Sequence, residues 1–227
     1  MPRARSTKTY WQTAATPQEQ GSGCLSGFVL PPLAVVLFSA VFAFFVLKQP
    51  LTIPLELPPV RSKNISTIFR IEIHYWADSI SKWATASQLD PNLVATVMQI
   101  ESCGDPRAKS SAGAMGLFQV MPFHFYATDD PYNPNINALR GLAYLARSLE
   151  TSAGNPGLAL AGYNGGIGLI ARTEWTWPAQ TKRYVQYGLP IYEDARNGLE
   201  SSNALNEWYQ KYGVSLCQQA HRRLGLP

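Results

Sequence analysis

The sequence predicts an all-α domain over residues 64–227, and three observations support this prediction. Five apolar residues recur at alternating spacings of four and three, the stripe of an amphipathic helix of about twenty residues. They are Phe69, Ile73, Trp76, Ile80 and Trp83. The pairs Asp90-Pro91 and Asn155-Pro156 combine a capping side chain with a proline, which favours a helix start. Nowhere does a convincing alternation of apolar and polar residues indicate a β-strand.

The remaining helices follow from equally local signals. The helix that begins at Asp90-Pro91 is predicted to stop at Gly104 and Pro106. A turn at residues 110–113 and a short apolar segment come next. Further helices are predicted for residues 135–149, from Asn155-Pro156 through Tyr163, from Pro178 onward, and for residues 199–212 as the last clear helix.

The N-terminal part differs in character from this domain. Residues 24–47 carry no charge and are long enough to cross a hydrocarbon core of about 30 Å. Basic residues precede this run, so we expect residues 1–23 in the cytoplasm, a single transmembrane helix at 24–47, and the rest outside. A cleaved signal peptide is the alternative, although its apolar region is usually shorter. Residues 48–63 contain four prolines and are predicted to be an extended spacer.

Composition sets wide limits on function. The chain has 227 residues, of which 46% are hydrophobic, and a formal net charge of +4. This length fits one ordinary domain plus an extra segment. A basic surface attracts nucleic acid, anionic lipid or an acidic cell-wall polymer. Because the basic residues do not cluster with aromatic residues in a nucleic-acid motif, we predict no nucleic-acid partner.

The most informative single residue is Glu101. It shares one helical face with Val94, Val97 and Met98, so its carboxyl group is expected in apolar surroundings. Burial there would raise the pKa of the carboxyl and keep it protonated near neutral pH, as a general acid requires. Glycoside cleavage depends on such tuning. The alternative is a solvated glutamate at the fraying end of the helix.

Three ordered motifs resemble those of the lytic transglycosylase SLT family, which has a lysozyme-like fold. They are "ESCGDPRAKSSAGAMGLFQVMP", "ALAGYNGG" and "WPAQTKRYV". The resemblance covers roughly residues 76–195. Phe118 stands where the family usually has Met, and Gly162 where it usually has Ala. The resemblance implies an all-α, lysozyme-like domain with a substrate cleft, whose partner is a peptidoglycan glycan strand.

The resemblance also implies a mechanism. Glu101 would protonate the oxygen between N-acetylmuramic acid and N-acetylglucosamine. The same carboxylate would then accept the proton of the C6 hydroxyl as this attacks C1 and closes a 1,6-anhydro ring. No water and no second carboxylate are consumed. Asp105 follows closely in the sequence, but it lies in a Gly-Asp-Pro turn and is expected to form that turn.

By the same resemblance, six residues are expected to bind the substrate, and each also has a purely structural interpretation. Ser110 could begin a turn, Gln119 could be a solvated helix residue, and Met121 could simply form the cleft wall. The Tyr163 hydroxyl is expected to hydrogen-bond Glu101 or the sugar. Asn164 would hold backbone or sugar polar groups, and Tyr184 is structural as often as functional. The residues are Ser110, Gln119, Met121, Tyr163, Asn164 and Tyr184.

The cysteines and histidines are considered separately. Cys103 and Cys217 would both lie outside the cell, where a disulfide between them would hold the C-terminal tail beside the helix of Glu101. Two unrelated buried thiols are the alternative. The three histidines show no metal-ligand spacing, so we predict no metal, and we predict no cofactor.

Three functions therefore compete. The first is a membrane-anchored lytic transglycosylase, with unknown protein partners. The second is a hydrolytic muramidase on the same fold, which would need a placed water and a second acid such as Asp105, Asp129 or Asp130. The third is a non-catalytic wall-binding scaffold, and the presence of Glu101 argues against it.

Overall fold

The computed structural model describes residues 65–227. The predicted tail at 1–23, the transmembrane helix at 24–47 and the spacer at 48–63 lie outside these residues. Within 65–227, no helix is both long enough and apolar enough to cross a bilayer. The same residues form helices and no strand, with isolated bridges joining Met115 to Lys109 and to Val120. The predicted all-α class is therefore confirmed for this part of the chain.

Eight α-helices follow one another along residues 65–227, with short 3-10 turns at Pro122–His124, Ile167–Leu169 and Glu174–Thr176 and one π-helical turn at Tyr209–Gly213. The helices are α1 (Ile71–His74), α2 (Ala77–Ser87), α3 (Pro91–Ser102), α4 (Pro134–Thr151), α5 (Pro156–Gly165), α6 (Ala179–Arg196), α7 (Asn203–Trp208) and α8 (Val214–Leu224).

The helix starts predicted from local signals are confirmed. The Asp90 carboxylate accepts a hydrogen bond from the Asn92 amide at 2.8 Å and caps α3. The Asn155 side chain caps α5 through the Leu158 amide at 3.0 Å. Asn133 caps α4 in the same way, one turn before the apolar face begins. In all three helices a proline occupies the first turn, where its missing N–H leaves no hydrogen bond unmade.

The prediction of one amphipathic helix of about twenty residues that carries the stripe from Phe69 to Trp83 is wrong. Two short helices, α1 and α2, replace it, and the chain leaves the helical path at Trp76 (φ −96°, ψ 6°). The Trp76 indole N–H donates to the Gly104 carbonyl at 2.9 Å, and its ring stacks on Trp83 at 6.0 Å. This hydrogen bond to the segment after α3 fixes the position of Trp76. The spacing of apolar residues within one segment cannot predict such a long-range contact.

Helix α3 lies at the centre of the domain. Residues 91–99 are all buried, and Val94, Val97 and Met98 have no exposed surface. Helices α2, α6 and α8 pack against α3, while α4 and α5 form a neighbouring pair that continues the core. Burying such a helix on all sides contributes much of the apolar stabilisation of the domain. It also fixes where the last turn of α3, with Glu101, must lie.

The C-terminal end departs from the predicted helix at 199–212. Ser202 caps α7 through the Leu205 amide, so the helix begins later. The chain then loosens into the π-helical turn, where a Cβ at Gly213 would lie 2.6 Å from the Trp208 ring. Helix α8, which was not predicted, follows and packs on α1 and α3. A disulfide joins Cys103 to Cys217 of α8, with the Cα atoms 5.0 Å apart.

Candidate functional site

Glu101 lies in the last turn of α3, where the buried helix reaches the surface of a cleft. The helix ends one residue later, because Cys103 adopts a left-handed conformation (φ 52°). Ser102 supports this turn: its hydroxyl donates to the Leu117 carbonyl at 2.7 Å and accepts from the Gly104 amide at 3.1 Å. Glu101 itself is half-buried and lines the cleft.

Burial dominates the electrostatics of this carboxyl. It raises the pKa of Glu101 from 4.5 to about 8, and a polar contact with the Tyr184 hydroxyl opposes the rise. Within residues 65–227, the Tyr184 hydroxyl makes no contact that meets full hydrogen-bond geometry. Glu101 is therefore protonated at neutral pH, the state in which a carboxyl group can donate a proton.

Two cavities adjoin the carboxyl group and share Glu101, Asn164 and Gln180 in their walls. The first has a volume of about 290 Å³ and extends toward Ser110 and Met121. The second has a volume of about 220 Å³ and extends toward α6 and α7. Together they form one cleft that passes the acid on both sides, as an extended polymer would require.

Two tyrosines surround Glu101. The Tyr163 hydroxyl donates to the Phe118 carbonyl at 2.7 Å, a partner that the sequence did not predict. The expected hydrogen bond of Tyr163 with Glu101 or with the sugar stays a prediction. The pKa of Tyr163 and the pKa of Tyr184 are both raised well above 10, first by burial and then by the Glu101 charge. Both phenols therefore stay neutral beside the carboxyl group.

The segment from Ser110 to Met121 forms one wall of the first cavity. The Ser110 hydroxyl accepts from the Ala114 amide at 3.0 Å and shapes the turn. The Gln119 side chain donates to the Gly116 carbonyl at 3.0 Å, and its backbone is left-handed (φ 46°). Ser110 and Gln119 therefore hold the wall together and also face the cavity, where Met121 lies beside them. No sugar is needed to satisfy the amide nitrogen of Gln119.

Asn137 on α4 holds this wall in place and was missed by the sequence analysis. It is buried, and its amide nitrogen donates to the carbonyls of Met115 (2.8 Å) and Pro131 (2.9 Å). Its amide oxygen accepts from the Phe118 N–H at 2.9 Å. A lone asparagine within an apolar helix face was the signal that could have identified it, because a buried amide needs partners.

The opposite wall comes from α5 and α6. The Asn164 amide oxygen accepts from the Thr181 hydroxyl at 3.0 Å, which ties the end of α5 to the first turn of α6. Gln180 precedes Thr181 and contributes to both cavities, although the sequence analysis did not single it out. Tyr144 is another missed residue: its ring lies between His124 (4.7 Å) and Tyr163 (5.9 Å) at the cavity wall.

The structure thus brings together all seven residues predicted from the sequence. Five of them line the first cavity with Glu101, and Asn164 and Tyr184 line the second. The seven residues are Glu101, Ser110, Gln119, Met121, Tyr163, Asn164 and Tyr184.

Glu101 is the one carboxylate that lines either cavity in the part of the chain that the structure describes. Asp105 is fully buried elsewhere, where it accepts from Gln219 at 2.7 Å. Asp129 binds Arg140 at 2.7 Å, and Asp130 accepts from the Tyr132 amide. These three carboxylates serve local structure, so none of them stands opposite Glu101.

One group of potential metal ligands occurs within residues 65–227, and none of its members lines either cavity. Ligand atoms of Glu72, Cys103 and Cys217 lie within 4.8 Å of one another. The two sulfur atoms are joined in the disulfide, so they offer no thiolates to a metal ion. Glu72 instead contacts the His221 imidazole at 3.1 Å.

Known proteins are similar to the part of the chain that contains Glu101. The Transglycosylase SLT domain family matches residues 78–185. A protein called Transglycosylase from Enterobacteria phage PRD1 is 38% identical over 111 residues, which are 48% of this chain and 40% of the phage protein. Membrane-bound lytic murein transglycosylase E of Buchnera aphidicola is 38% identical over 47 residues, 21% of each chain.

A solved structure is also similar: lytic transglycosylase Slt of Pseudomonas aeruginosa, as an inactive mutant. Its TM-score is 0.44 at 26% identity, over 53% of this chain and 24% of that one. The chain spans less than half the length of each of these relatives. The family match and the two relatives confirm the resemblance seen in the motifs, over residues 78–185.

Proposed function

We propose that this protein is a peptidoglycan lytic transglycosylase that cleaves the β-1,4 bond between N-acetylmuramic acid and N-acetylglucosamine. The observation that carries the proposal is the isolation of one protonated acid in a two-sided cleft. Glu101 has its pKa raised to about 8 and is the one carboxylate among the described residues in the walls of either cavity. The SLT domain at residues 78–185 supports the same assignment.

Glu101 would serve as the sole general acid and base. Its proton passes to the glycosidic oxygen, and the bond from that oxygen to C1 breaks. The C6 hydroxyl of the same N-acetylmuramic acid then attacks C1, and its proton passes to the Glu101 carboxylate. The product is a 1,6-anhydro ring, and the acid is restored to its starting state. The raised pKa supports the first step because the carboxyl group carries its proton at neutral pH.

A hydrolytic muramidase is less well supported by the same geometry. Inverting hydrolysis needs a second carboxylate that activates water, and retaining hydrolysis needs one that forms a covalent intermediate. Asp105 and Asp129 are engaged by Gln219 and Arg140, and the described cavity walls contain no alternative. A mechanism that uses the substrate's own hydroxyl requires no such group. A non-catalytic scaffold would have no use for a protonated acid at the centre of the cleft.

Six residues would bind the strand. Ser110, Gln119 and Met121 form the wall of the first cavity on one side, and Tyr163 and Asn164 form the other. Gln119 and Asn164 each use one amide atom within the protein, so the other amide atom remains for sugar hydroxyl groups or acetamido groups. The Tyr184 hydroxyl contacts Glu101 and would help to stabilise the carboxylate that forms when the proton leaves.

We also propose that the enzyme is attached to the cell membrane. Residues 24–47 would cross the membrane once, residues 1–23 would lie in the cytoplasm, and residues 48–63 would link the anchor to an extracytoplasmic catalytic domain. The Cys103–Cys217 disulfide supports an oxidising location, because cytosolic thiols are normally kept reduced. Peptidoglycan lies on the same side. The name of the Buchnera relative, a membrane-bound enzyme, points the same way.

Digestion of purified peptidoglycan by the full-length chain tests the activity. We expect soluble fragments with 1,6-anhydro ends, each one water lighter than the corresponding hydrolysis product by mass spectrometry. Glu101→Gln should abolish them because an amide cannot transfer the proton. Glu150→Gln is the matched control, because it removes an exposed glutamate of α4 that lies outside the cleft. Fragments with reducing ends, or fragments that persist in Glu101→Gln, would contradict the proposal.

A further inference from the structure

The C-terminal segment from Ser202 to Leu224 lies beyond the family match at residues 78–185, yet it contributes to the cleft. Trp208 of α7 and Tyr212 of the π-helical turn line the second cavity, which begins at Glu101. Tyr184, Tyr187 and Arg183 of α6 form the facing wall. This half of the cleft is therefore richer in aromatic rings than the first cavity, and three of its four rings (Tyr187, Trp208 and Tyr212) lie outside residues 78–185.

Tyr212 is the accessible ring of this group. About half of its surface is exposed (47%), whereas Trp208 is buried (4%). The Arg183 guanidinium lies 5.5 Å from the centre of the Tyr212 ring, and Tyr187 meets it edge-on at 5.7 Å. The ring is thus held by its neighbours while about half of its surface stays exposed, and the Arg183 guanidinium lies over it.

Several features fix Tyr212 in this position. The π-helical turn carries it out of the regular helix, and such turns occur frequently at functional sites. Gly213 allows this turn to pack directly on the Trp208 ring. Cys217 lies in the following helix, and its disulfide with Cys103 joins this segment to the residue that ends α3. The aromatic wall and Glu101 are therefore held by the same covalent link.

We propose that Tyr212, Trp208 and Arg183 form a sugar-binding subsite for an N-acetylhexosamine ring of the glycan strand. The inference rests on the proposed function, because a bond cleaved at Glu101 needs sugar units on both sides of the acid. A sugar ring offers a C–H face that packs on an aromatic ring, and polar edges that accept hydrogen bonds from a guanidinium. The C-terminal segment thereby completes the cleft that the SLT domain leaves open on this side.

Binding of uncleavable substrate tests the subsite. The full-length Glu101→Gln variant is titrated calorimetrically with N-acetylglucosamine oligosaccharides of increasing length. We expect added Tyr212→Ala to weaken binding of the longer oligosaccharides by about three- to tenfold, the loss of one aromatic contact. The shortest oligosaccharides, which reach only the first cavity, should bind as before. Tyr212→Phe should retain the affinity because the ring, not the hydroxyl, makes the contact.

Tyr126→Ala is the matched control. Tyr126 is also exposed, and Arg140 covers its ring at 3.9 Å, but it lies outside both cavity walls. Its loss should leave binding of every length unchanged. Thermal unfolding midpoints of the Tyr212 variants equal to that of the Glu101→Gln parent would show that the exposed ring does not stabilise the fold.

Two results would overturn the inference. Tyr212→Ala could bind all lengths as tightly as Tyr126→Ala does, or it could weaken short and long oligosaccharides equally. Failure of the proposed function looks different: the unmutated chain would release no fragments from peptidoglycan and Glu101→Gln would bind no oligosaccharide. That result would remove the subsite together with the activity.

Discussion

Cys103, two residues after Glu101, is bonded to Cys217 in a helix 114 residues further along the chain. The link joins the end of the most buried helix to a C-terminal helix that lies outside the SLT match. Both sulfur atoms are buried, and the Gln99 amide nitrogen lies 3.0 Å from Cys103 Sγ. The acid, the turn that follows it and the C-terminal segment therefore form one connected unit.

Removal of this disulfide should destabilise the domain. A link across 114 residues restricts the unfolded chain strongly, so the Cys103→Ala/Cys217→Ala variant should lose about 2–4 kcal/mol of unfolding free energy in urea titrations. When the disulfide of the unmutated protein is reduced in the unfolded state, its unfolding free energy should fall to that of the double variant. The same reducing agent should leave the unfolding free energy of the double variant unchanged. Equal stabilities of oxidised protein and double variant would contradict the role assigned to the link.

The pKa of Glu101 predicts a pH-dependent stability difference. The carboxyl group titrates near 4.5 when unfolded and near 8 when folded, so between these values the folded protein holds a proton that the unfolded chain has lost. Stability contributed by this group is therefore complete below 4.5 and declines as pH rises toward 8. Glu101→Gln cannot ionise, so its unfolding free energy does not decline in this way as the pH rises. Its advantage in unfolding free energy should grow from near zero in acid to roughly 1–3 kcal/mol in alkali.

Thermal and urea unfolding across this pH range measure the effect. Glu150→Gln, at an exposed site on α4, serves as the control and should show no comparable trend. A constant difference between Glu101→Gln and the unmutated protein at all pH values would mean that the carboxyl group is not desolvated in the fold.

Tyr184 should tune the pH profile of cleavage. Burial sets the pKa of Glu101 and the Tyr184 hydroxyl lowers it, so Tyr184→Phe should raise that pKa further. The alkaline limb of kcat/KM, which reports loss of the acid's proton in the free enzyme, should move to higher pH. Tyr75→Phe removes an exposed phenol outside the cleft and should leave the limb in place. If the alkaline limb of Tyr184→Phe stays in place or moves to lower pH, the Tyr184 hydroxyl does not lower the pKa of Glu101.

Close packing around Gly162 explains why this position departs from the family pattern. It stands where the family usually has Ala, and a Cβ there would overlap the Ser148 hydroxyl and lie 2.8 Å from Ile170 Cδ1. The Ser148 hydroxyl is buried and donates to the Ala159 carbonyl at 2.8 Å, so it has little freedom to move. Gly162→Ala should therefore destabilise the domain by about 1–3 kcal/mol in urea unfolding.

A double-mutant cycle checks the stated cause. Ser148→Ala removes the overlapping oxygen and should recover part of the loss when combined with Gly162→Ala. Gly168→Ala is the control, because a Cβ there meets nothing within 4 Å. If the two substitutions at 148 and 162 add without coupling, the overlap is not the reason for glycine.

Local signals predicted the parts of the fold that local contacts determine. Asp90 and Asn155 cap their helices through amides two and three residues away, so sequence alone contains the interaction. The apolar stripe beside Glu101 likewise predicted its buried setting and raised pKa. The choice between a buried acid and a fraying helix end needed the tertiary structure, because α6 supplies the second wall.

Long-range contacts account for the wrong predictions. Trp76 breaks the first helix because it hydrogen-bonds Gly104, 28 residues later. The Tyr163 hydroxyl donates to the Phe118 carbonyl, 45 residues away, a partner that the sequence did not predict. Helix α8 was missed although its apolar and polar residues lie on separate faces; its buried residues are Cys217 and Ala220. Neither Tyr212 nor Gln180 could be assigned to the cleft before the chain was seen to bring them beside Glu101.

The source of the oxygen at the new chain end tests the central claim most directly. Peptidoglycan is digested in water enriched in the heavy oxygen isotope, and the N-acetylmuramic acid ends are examined by mass spectrometry. We predict 1,6-anhydro ends with no heavy oxygen, because the C6 hydroxyl closes the ring and its proton passes to Glu101. Ends that carry one heavy oxygen would show that water is the nucleophile, which would contradict a single-acid transglycosylase.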